Sequence, residues 1–238
     1  MSSLFNAILY HPILNAMVFL YNTIAFRDLG IAIIFITIVV RFVLFPMYQK
    51  TLRQQAISAK MNPEMLRIQK EFKDDKERQT KELLALYQKY KINPFYMILV
   101  LLIQIPVFFA IWKAITAGAS GAVSSALYPF ITDPGTMNKM FLGLVDLGSR
   151  SILIAIIAAA LQFLQMRMSM AMTPKNANMP AAFSGNQMAF IMGGVTLAVL
   201  WNLPAALGIY WVATTVFSIV QQWIVNNSLK NEELKGNN

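Results

Sequence analysis

Five long apolar stretches, each bounded by polar or turn-forming residues, divide most of the chain. They run over about 29–47, 95–115, 151–170, 188–203 and 205–224. Each is close to the ~17–25 apolar residues that a helix needs to cross the hydrocarbon core of a membrane. Only a tight turn at Pro204 separates the last two. The pattern predicts an all-α integral membrane protein with a five-transmembrane-helix core over residues 28–226.

The first 27 residues have a different pattern. Their apolar positions recur at nearly helical spacing, but Asn6, His11-Pro12, Asn15 and Asn22 interrupt them. A helix that is apolar on one side and polar on the other is typical of segments that lie along a membrane surface. We therefore predict an N-terminal amphipathic, interfacial helix over 1–27. A sixth span or an uncleaved signal anchor is the alternative.

A long polar segment separates the first and second apolar stretches. Within it, Asn62-Pro63 is a helix-start signature, "DDKE" suggests a turn, and apolar residues recur at helical spacing on either side. The segment is predicted to form a cytoplasmic two-helix hairpin over 49–93. A solvated connector without activity is the alternative reading. Residues 227–238 are predicted to form a short cytoplasmic tail.

Composition and charge support a membrane protein and suggest its orientation. The 238 residues are 57% hydrophobic and 13% charged, with a net charge of +9 and no cysteine, which excludes disulfides and thiolate metal sites. Eleven of the basic residues fall in 48–93, and Lys175, Lys230 and Lys235 share that side if the five spans alternate. The positive-inside rule then predicts an outer N-terminus and a cytoplasmic C-terminus. The positive charge is an orientation signal rather than a nucleic-acid footprint.

An arginine interrupts the first apolar stretch, "IFITIVVRFVLFPMYQK". Arg41 is twelve residues after Leu29, which at ~1.5 Å per residue is ~18 Å along a helix. A central arginine costs about 2.5–3.5 kcal/mol on insertion scales. The side chain should therefore meet water, meet a partner, or reach back to the interface by snorkelling. Thr37, one turn earlier, shares its helix face.

Other spans also carry uncharged polar residues, and none carries an acidic residue that could neutralise Arg41. Interhelical hydrogen bonds would explain each of them singly. Together they predict a polar cavity that reaches from the cytoplasm to about mid-membrane. The predicted lining residues on these spans are Gln104, Gln162, Thr196, Thr214 and Ser218.

Three ordered motifs resemble the YidC/Oxa/Alb family of membrane protein insertases. They are "GIAIIFITIVVRFVLFPMYQK", "INPFYMILVLLIQIPVFFAIWKAI" and "LPAALGIYWVATTVFSIVQQWIV", with the basic hairpin between the first two. The resemblance covers about Leu29 to Asn226. It implies an insertase and chaperone that moves client transmembrane segments and short hydrophilic tails from the cytoplasm into the bilayer. A positively charged hydrophilic groove would receive the client, and the client would leave sideways into lipid.

The resemblance also implies roles for particular residues. The groove arginine of the family corresponds to Arg41, its glutamine to Gln104, and its aromatic pair to Tyr210 and Trp211. The hairpin would help to receive clients. The residues expected to recruit them at its tip are Lys73, Asp74, Asp75, Lys76 and Arg78.

The implied partners are nascent membrane proteins with one span or few, and the lipid bilayer of the bacterial plasma (inner) membrane. The Sec translocon, the signal recognition particle or its receptor, and the ribosome stay open as further partners. Because the spans contain no paired carboxylates, histidine cluster or Ser/His arrangement, we expect no enzyme activity, cofactor, metal or small-molecule substrate. Sequence-specific binding to nucleic acid is not expected either. A small anion channel or transporter that uses Arg41 is the alternative function.

Overall fold

The chain is predominantly helical in the computed structural model, which describes residues 3–93, 95–170 and 185–236. A π-helical turn, Asn6–Tyr10, joins the first two helices into one N-terminal run, Ser3–Thr23. The helices are α1 (Ser3–Phe5), α2 (His11–Thr23), α3 (Leu29–Val43), α4 (Phe45–Glu71), α5 (Lys76–Lys89), α6 (Phe95–Ser120), α7 (Ile152–Met170), α8 (Gly185–Trp201) and α9 (Ala205–Gly236). A short antiparallel hairpin pairs β1 (Met140–Phe141) with β2 (Val145–Asp146).

Four helical runs in the described parts of the chain are long and apolar enough to cross a membrane. They are Ser3–Thr23, Leu102–Ser120, Ile152–Ser169 and Ala205–Leu229. A bent pair, Leu29–Val43 with Phe45–Ser58, would make a fifth, and the apolar helix Gln187–Trp201 is shorter. The predicted all-α membrane protein is thus confirmed at this level. The assignment of the five particular spans stays a prediction.

The first predicted span ends earlier than expected. The apolar stretch continues to Met47, but α3 stops at Val43 and α4 leaves it at an angle of 70°. Pro46 lies in the first turn of α4, where its missing N–H costs nothing, and Leu44 takes the non-helical backbone angles φ −88° and ψ 0° between the helices. A proline at the start of the new helix therefore divides the span.

The polar segment forms a helical hairpin, but its first helix does not begin at Asn62-Pro63. That prediction is wrong, because α4 runs without a break from Phe45 to Glu71 with Pro63 inside it. Packing between the arms offsets the lost backbone hydrogen bond. Met61 of α4, Leu86 of α5 and Ile92 form a buried apolar cluster there.

The N-terminal run packs into the main core of the molecule. Leu14, Met17 and Val18 are completely buried in the cluster that also contains apolar residues of α3 and α6. This packing explains why the apolar residues recur at helical spacing. An interfacial location of the run stays a prediction, and the alternative of a sixth span fits its length.

The helix assembly has two different ends. We call the end where α3 begins and α6 finishes the loop end, because residues 121–151 cover it, and the opposite end the hairpin end. Asn15 fixes the loop to α2: its Nδ2 donates to the carbonyl of Ala126 at 2.9 Å, and its Oδ1 accepts from the amide of Tyr128 at 2.6 Å. The loop end is therefore closed by packed and hydrogen-bonded chain.

Some parts of the sequence prediction lie outside the described residues. They are Pro94 at the start of the second predicted span, the loop 171–184 with Lys175, and the terminal residues 1–2 and 237–238.

Candidate functional site

A cavity of about 980 Å³ lies between the helices in their hairpin-end halves. Residues of α3, α4, α6, α7 and α9 line it, and none of its described lining residues comes from α8. Glutamine, serine, threonine and tyrosine side chains form one part of the wall and apolar side chains the rest. Such a mixture can hold water against one side and an apolar chain against the other.

Arg41 is the one charged residue among the described residues that line this cavity. It is 8% exposed, and its guanidinium carbon lies 4.4 Å from the centre of the Tyr48 ring. No aspartate or glutamate forms an ion pair with it in the part of the chain that the structure describes. The positive charge is therefore held by an aromatic face and by the polar cavity rather than by a carboxylate.

A chain of hydrogen bonds crosses the cavity next to Arg41. The hydroxyl of Tyr48 donates to Oε1 of Gln104, and Nε2 of Gln104 donates to the hydroxyl of Tyr210 at 3.0 Å. The Tyr210 ring lies 5.9 Å from that of Phe108. These contacts connect α4, α6 and α9 at the level of the arginine.

The α7 side of the cavity has its own polar contacts. Nε1 of Trp211 donates to Oε1 of Gln162 at 3.3 Å, and Nε2 of Gln162 donates to Oε1 of Gln165 at 3.1 Å. Further along the same wall, the hydroxyl of Ser169 donates to Oε1 of Gln222 at 3.3 Å. Uncharged hydrogen-bonding groups therefore line the cavity from the arginine toward the hairpin end.

One side of the cavity is open between α6 and α7. Ile105 and Phe109 line it and are 46% and 45% exposed, so the wall continues onto the outer surface of α6. α6 packs mainly on the N-terminal run, α3 and α4, whereas α7 packs on α8 and α9. The two helices are thus held by different neighbours across the opening.

Most of the predicted groove residues are brought together. Those that line the cavity are Arg41, Gln104, Gln162, Tyr210, Trp211, Thr214 and Ser218. Thr37 is buried one turn before Arg41, where its hydroxyl donates to the carbonyl of Ile33 at 2.6 Å, and it lines a smaller pocket behind the arginine. Thr196 does not line the cavity; it is buried on α8, which packs mainly on α7.

Seven polar residues that line the cavity are missing from the predicted set: Tyr48, Thr51, Gln55, Gln165, Ser169, Thr215 and Gln221. The first three recur at helical spacing on α4. They lie beyond the predicted span, which ends at Met47, in the polar segment that follows it. Their spacing of three and four residues is the signal that could have identified one shared face.

The hairpin tip is a separate, water-exposed feature. Lys73, Asp74, Asp75, Lys76 and Arg78 are all exposed, and none lines the cavity. Asp75 begins α5 by accepting a hydrogen bond from the amide of Arg78 at 3.0 Å, and the guanidinium of Arg78 lies 4.8 Å from the centre of the Phe72 ring. The tip is therefore a capped turn whose charges face solvent.

Comparison with known proteins identifies the family. A family model described as 60Kd inner membrane protein matches residues 19–233. The chain is 32% identical to the membrane protein insertase YidC of Syntrophus aciditrophicus over 90% of this chain and 36% of that protein. It is 33% identical to the protein of the same name from Rickettsia bellii over 92% of this chain and 39% of that protein.

The chain thus spans less than two fifths of the length of these curated relatives. The family model nevertheless covers nearly all of the chain, and the resemblance predicted from the motifs is confirmed. With its apolar helices, this multi-pass protein of the bacterial inner membrane belongs to the 60Kd inner membrane protein family, the family of the YidC proteins.

Proposed function

We propose that this protein is a membrane protein insertase and chaperone for client proteins with one span or few. The cavity would receive a client from the cytoplasm, and the client would leave it between α6 and α7. The observation that carries the proposal is Arg41, which is buried in a polar, laterally open cavity without an acidic partner among the described residues. The names of the curated relatives support the same role.

The polar wall lowers the cost of moving hydrophilic chain into the membrane. An unsatisfied polar group loses several kcal/mol in hydrocarbon, whereas in a wet cavity it keeps its hydrogen bonds. The glutamines and hydroxyls along α4, α7 and α9 can exchange hydrogen bonds with such a chain. A cavity that reaches to the depth of Arg41 shortens the apolar distance that a client tail must cross.

Arg41 would attract acidic residues of the client. At an effective dielectric constant of about 20, two unit charges 8 Å apart attract by about 2 kcal/mol. That is enough to favour entry of an acidic tail and weak enough to permit release. The stacking of Arg41 on Tyr48 keeps the charge directed into the cavity.

Lateral release would supply the driving force for insertion. An apolar client helix that passes Ile105 and Phe109 exchanges the cavity for lipid. Burial of its apolar surface contributes about 25 cal/mol per Å², so insertion needs no nucleotide. The charged hairpin tip would make the first contact with the client, and the N-terminus would face the outside with the C-terminus in the cytoplasm.

Site-specific photocrosslinking to a stalled nascent membrane protein tests this function. A photoreactive residue at position 104 or 214, both in the cavity, is expected to crosslink to the client. The control position is 190, because Phe190 is exposed on α8 and does not line the cavity. Equal crosslinking from all three positions, or none from the first two, would contradict the proposal.

An anion current across vesicles that contain only this protein would favour the alternative, a channel. We expect the current to equal that of empty vesicles.

A further inference from the structure

Two neighbouring turns at the loop end expose large apolar side chains. Phe26 lies between α2 and α3 and is 87% exposed. Leu142 and Leu144 lie in the turn of the β-hairpin and are 61% and 82% exposed. The exposed side chains are thus close to the beginning of α3.

The backbone at these positions has an unusual conformation. Phe26 has φ 53° and Leu142 has φ 52°, in the left-handed region where side chains other than those of glycine and asparagine are strained. Leu142 and Gly143, with φ 71°, are the two central residues of the hairpin turn, which the hydrogen bond from the amide of Leu144 to the carbonyl of Phe141 closes at 2.9 Å. Asn-Gly is the favoured pair for such a turn. Leucine at the first position is strained and also exposes apolar surface, which indicates an apolar neighbour for its side chain.

Hydrogen bonds hold the two turns together at the start of α3. Oδ1 of Asp28 accepts from the amide of Gly30 at 2.7 Å, and Oδ2 accepts from the amide of Leu142 at 2.7 Å. The Phe141 ring lies so close to Gly30 that a Cβ at position 30 would collide with it. The tip of the β-hairpin is therefore fixed to the first turn of α3.

The other end of the same segment is fixed to α9. The amide of Ala205 donates to the carbonyl of Ser149 at 2.8 Å, and the amide of Ala206 donates to the carbonyl of Leu147 at 3.1 Å. The hairpin thus spans from the beginning of α3 to the beginning of α9. Both helices belong to candidate membrane spans, and the exposed side chains lie beside the ends of these spans at the loop end.

We propose that Phe26, Leu142 and Leu144 form a lipid anchor that inserts into the apolar edge of the phospholipid headgroup layer at the loop end. Large apolar side chains at this depth bury their surface among the acyl chains. Acidic and basic residues balance in 24–28 and 121–151, with Arg27, Lys139 and Arg150 against Asp28, Asp133 and Asp146. Neutral phospholipids are therefore sufficient partners.

The anchor would also set the depth of Arg41. The β-hairpin is bonded to the first turn of α3, and Arg41 is on the last turn of that helix. A fixed depth at the loop end thus fixes the depth of the charge. This inference depends on α3 and α9 being membrane helices and is independent of the insertase role.

Single spin labels can test the immersion of the anchor, because the chain contains no cysteine. Phe26, Leu142 or Leu144 is replaced by a spin-labelled cysteine in phosphatidylcholine vesicles, and collisions with oxygen and with a nickel chelate are compared. We expect oxygen-to-nickel collision ratios severalfold higher than at Lys73→Cys on the exposed hairpin tip, and approaching that at Phe190→Cys. Ratios equal to that at position 73 would show water contact and overturn the proposal. Labels shielded from both reagents would show a protein partner and also overturn it.

A second measurement tests the control of depth. A spin label at Val39→Cys, on the exposed side of α3, reports the depth of that helix. In Leu142→Asn/Leu144→Asn, asparagine tolerates the left-handed turn, so the fold is kept while the apolar side chains are lost. We expect the collision ratio at position 39 to shift relative to the chain with both leucines. An unchanged ratio, with immersion found at 142 and 144, would overturn the depth-setting role.

Discussion

At the scale of the residue, the environment of Arg41 combines burial with the absence of a described acidic partner. A buried guanidinium normally requires an anion or several acceptors. Here the Tyr48 ring covers one face, and the Tyr48–Gln104–Tyr210 chain of hydrogen bonds passes beside it. In the proposed function, this arrangement would keep a positive charge available to a client chain instead of neutralising it.

Replacement of Arg41 measures the contribution of this charge. We expect Arg41→Ala to slow the insertion of clients with acidic translocated tails by roughly thirtyfold, because a lost attraction of about 2 kcal/mol changes a rate by that factor. Arg41→Lys keeps the charge and should be milder. The measurement is the insertion rate of one client, with an acidic or a neutral tail, into vesicles.

The matched control is Arg67→Ala, since Arg67 is an exposed arginine on α4 whose partner, Glu71, is on the same helix. It should leave both rates unchanged. If Arg41→Ala inserts acidic tails at the normal rate, the polarity of the cavity is sufficient and the electrostatic part of the proposal is wrong.

Asp28 gives a prediction about stability. Its carboxylate is buried and accepts hydrogen bonds from the amides of Gly30, Ile31 and Leu142. Asp28→Ala leaves these donors without the partner and should lower the free energy of unfolding by about 1–3 kcal/mol. Asp28→Asn keeps one acceptor oxygen and should cost less.

Thermal unfolding in detergent measures the difference between these variants. Asp133→Ala is the control, because Asp133 accepts hydrogen bonds from Ser124 and Gly135 within an exposed loop. Equal effects at 28 and 133 would show that Asp28 does not hold the loop end together.

Seven of the eighteen residues that line the cavity were predicted from the sequence, five of them because polar side chains are costly inside apolar stretches and two from the family resemblance. That reasoning gives the chemistry of a residue but not the direction in which its helix faces. Thr196 and Thr214 look alike in this respect, yet only Thr214 lines the cavity. Tyr48 is absent from the predicted set because it lies just beyond an apolar stretch, where a polar side chain is not costly. The rotation of each helix depends on packing between distant parts of the chain.

At the scale of the element, two prolines show what local sequence can decide. Pro46 lies in the first turn of a helix and Pro63 lies inside the same helix. Both follow residues that could end or begin a helix. The start of α4 packs on α9, where Leu52 and Ala56 meet Val225 and Leu229, and the later part packs on α5. These contacts hold α4 as one helix through Pro63, and they are not visible in the local sequence.

The hairpin arms are tied by Glu64 of α4. Its Oε2 accepts from Nζ of Lys89 at 2.8 Å, and its Oε1 accepts from the hydroxyl of Tyr90. The hydrogen bonds from Lys89 and Tyr90 hold the pKa of Glu64 below its ordinary value, and the hydrogen bond to Glu64 raises the pKa of Lys89. A carboxyl whose pKa is lowered by folding stabilises the folded form at pH values above its ordinary pKa. This stabilisation is lost as the pH falls through the lowered pKa.

We therefore expect the arms to separate in acid. Spin labels at Lys70→Cys and Lys81→Cys, one on each arm, should give a narrow distance distribution near pH 7 that broadens below about pH 4. In Glu64→Gln the distribution should be broader near pH 7 and should lose the acid response. A distribution that stays equally narrow at both pH values would show that apolar packing alone holds the arms together.

At the scale of the whole molecule, the two ends of the helix assembly differ in packing. The main buried cluster combines the N-terminal run, α3, α6, the loop and the start of α9. Toward the hairpin end, α3, α4, α6, α7 and α9 surround the cavity instead. The positions of the polar residues along the predicted spans predicted this difference between the two ends. They could not predict that α8 stays outside, because α8 is as apolar as the helices that line the cavity.

In the proposed function, lateral release would depend on the freedom of α6 and α7 to separate. Ile105 of α6 and Gln165 of α7 both line the cavity, and their helices pack on different neighbours. In Ile105→Cys/Gln165→Cys, a short thiol-reactive crosslinker should tie the helices together across the opening. We expect a single-span client still to enter and to crosslink from position 214, but not to reach the lipid. The same variant without crosslinker should insert the client.

The matched control ties two helices that are already packed. Phe163 of α7 and Phe190 of α8 have ring centres 4.7 Å apart, so Phe163→Cys/Phe190→Cys can be crosslinked without closing the cavity. Insertion should continue in this control, because α7 and α8 can move as one unit relative to α6. Loss of insertion in both variants would indicate that the whole assembly must deform. Normal insertion with α6 tied to α7 would place the exit elsewhere, since a client helix cannot pass a closed opening.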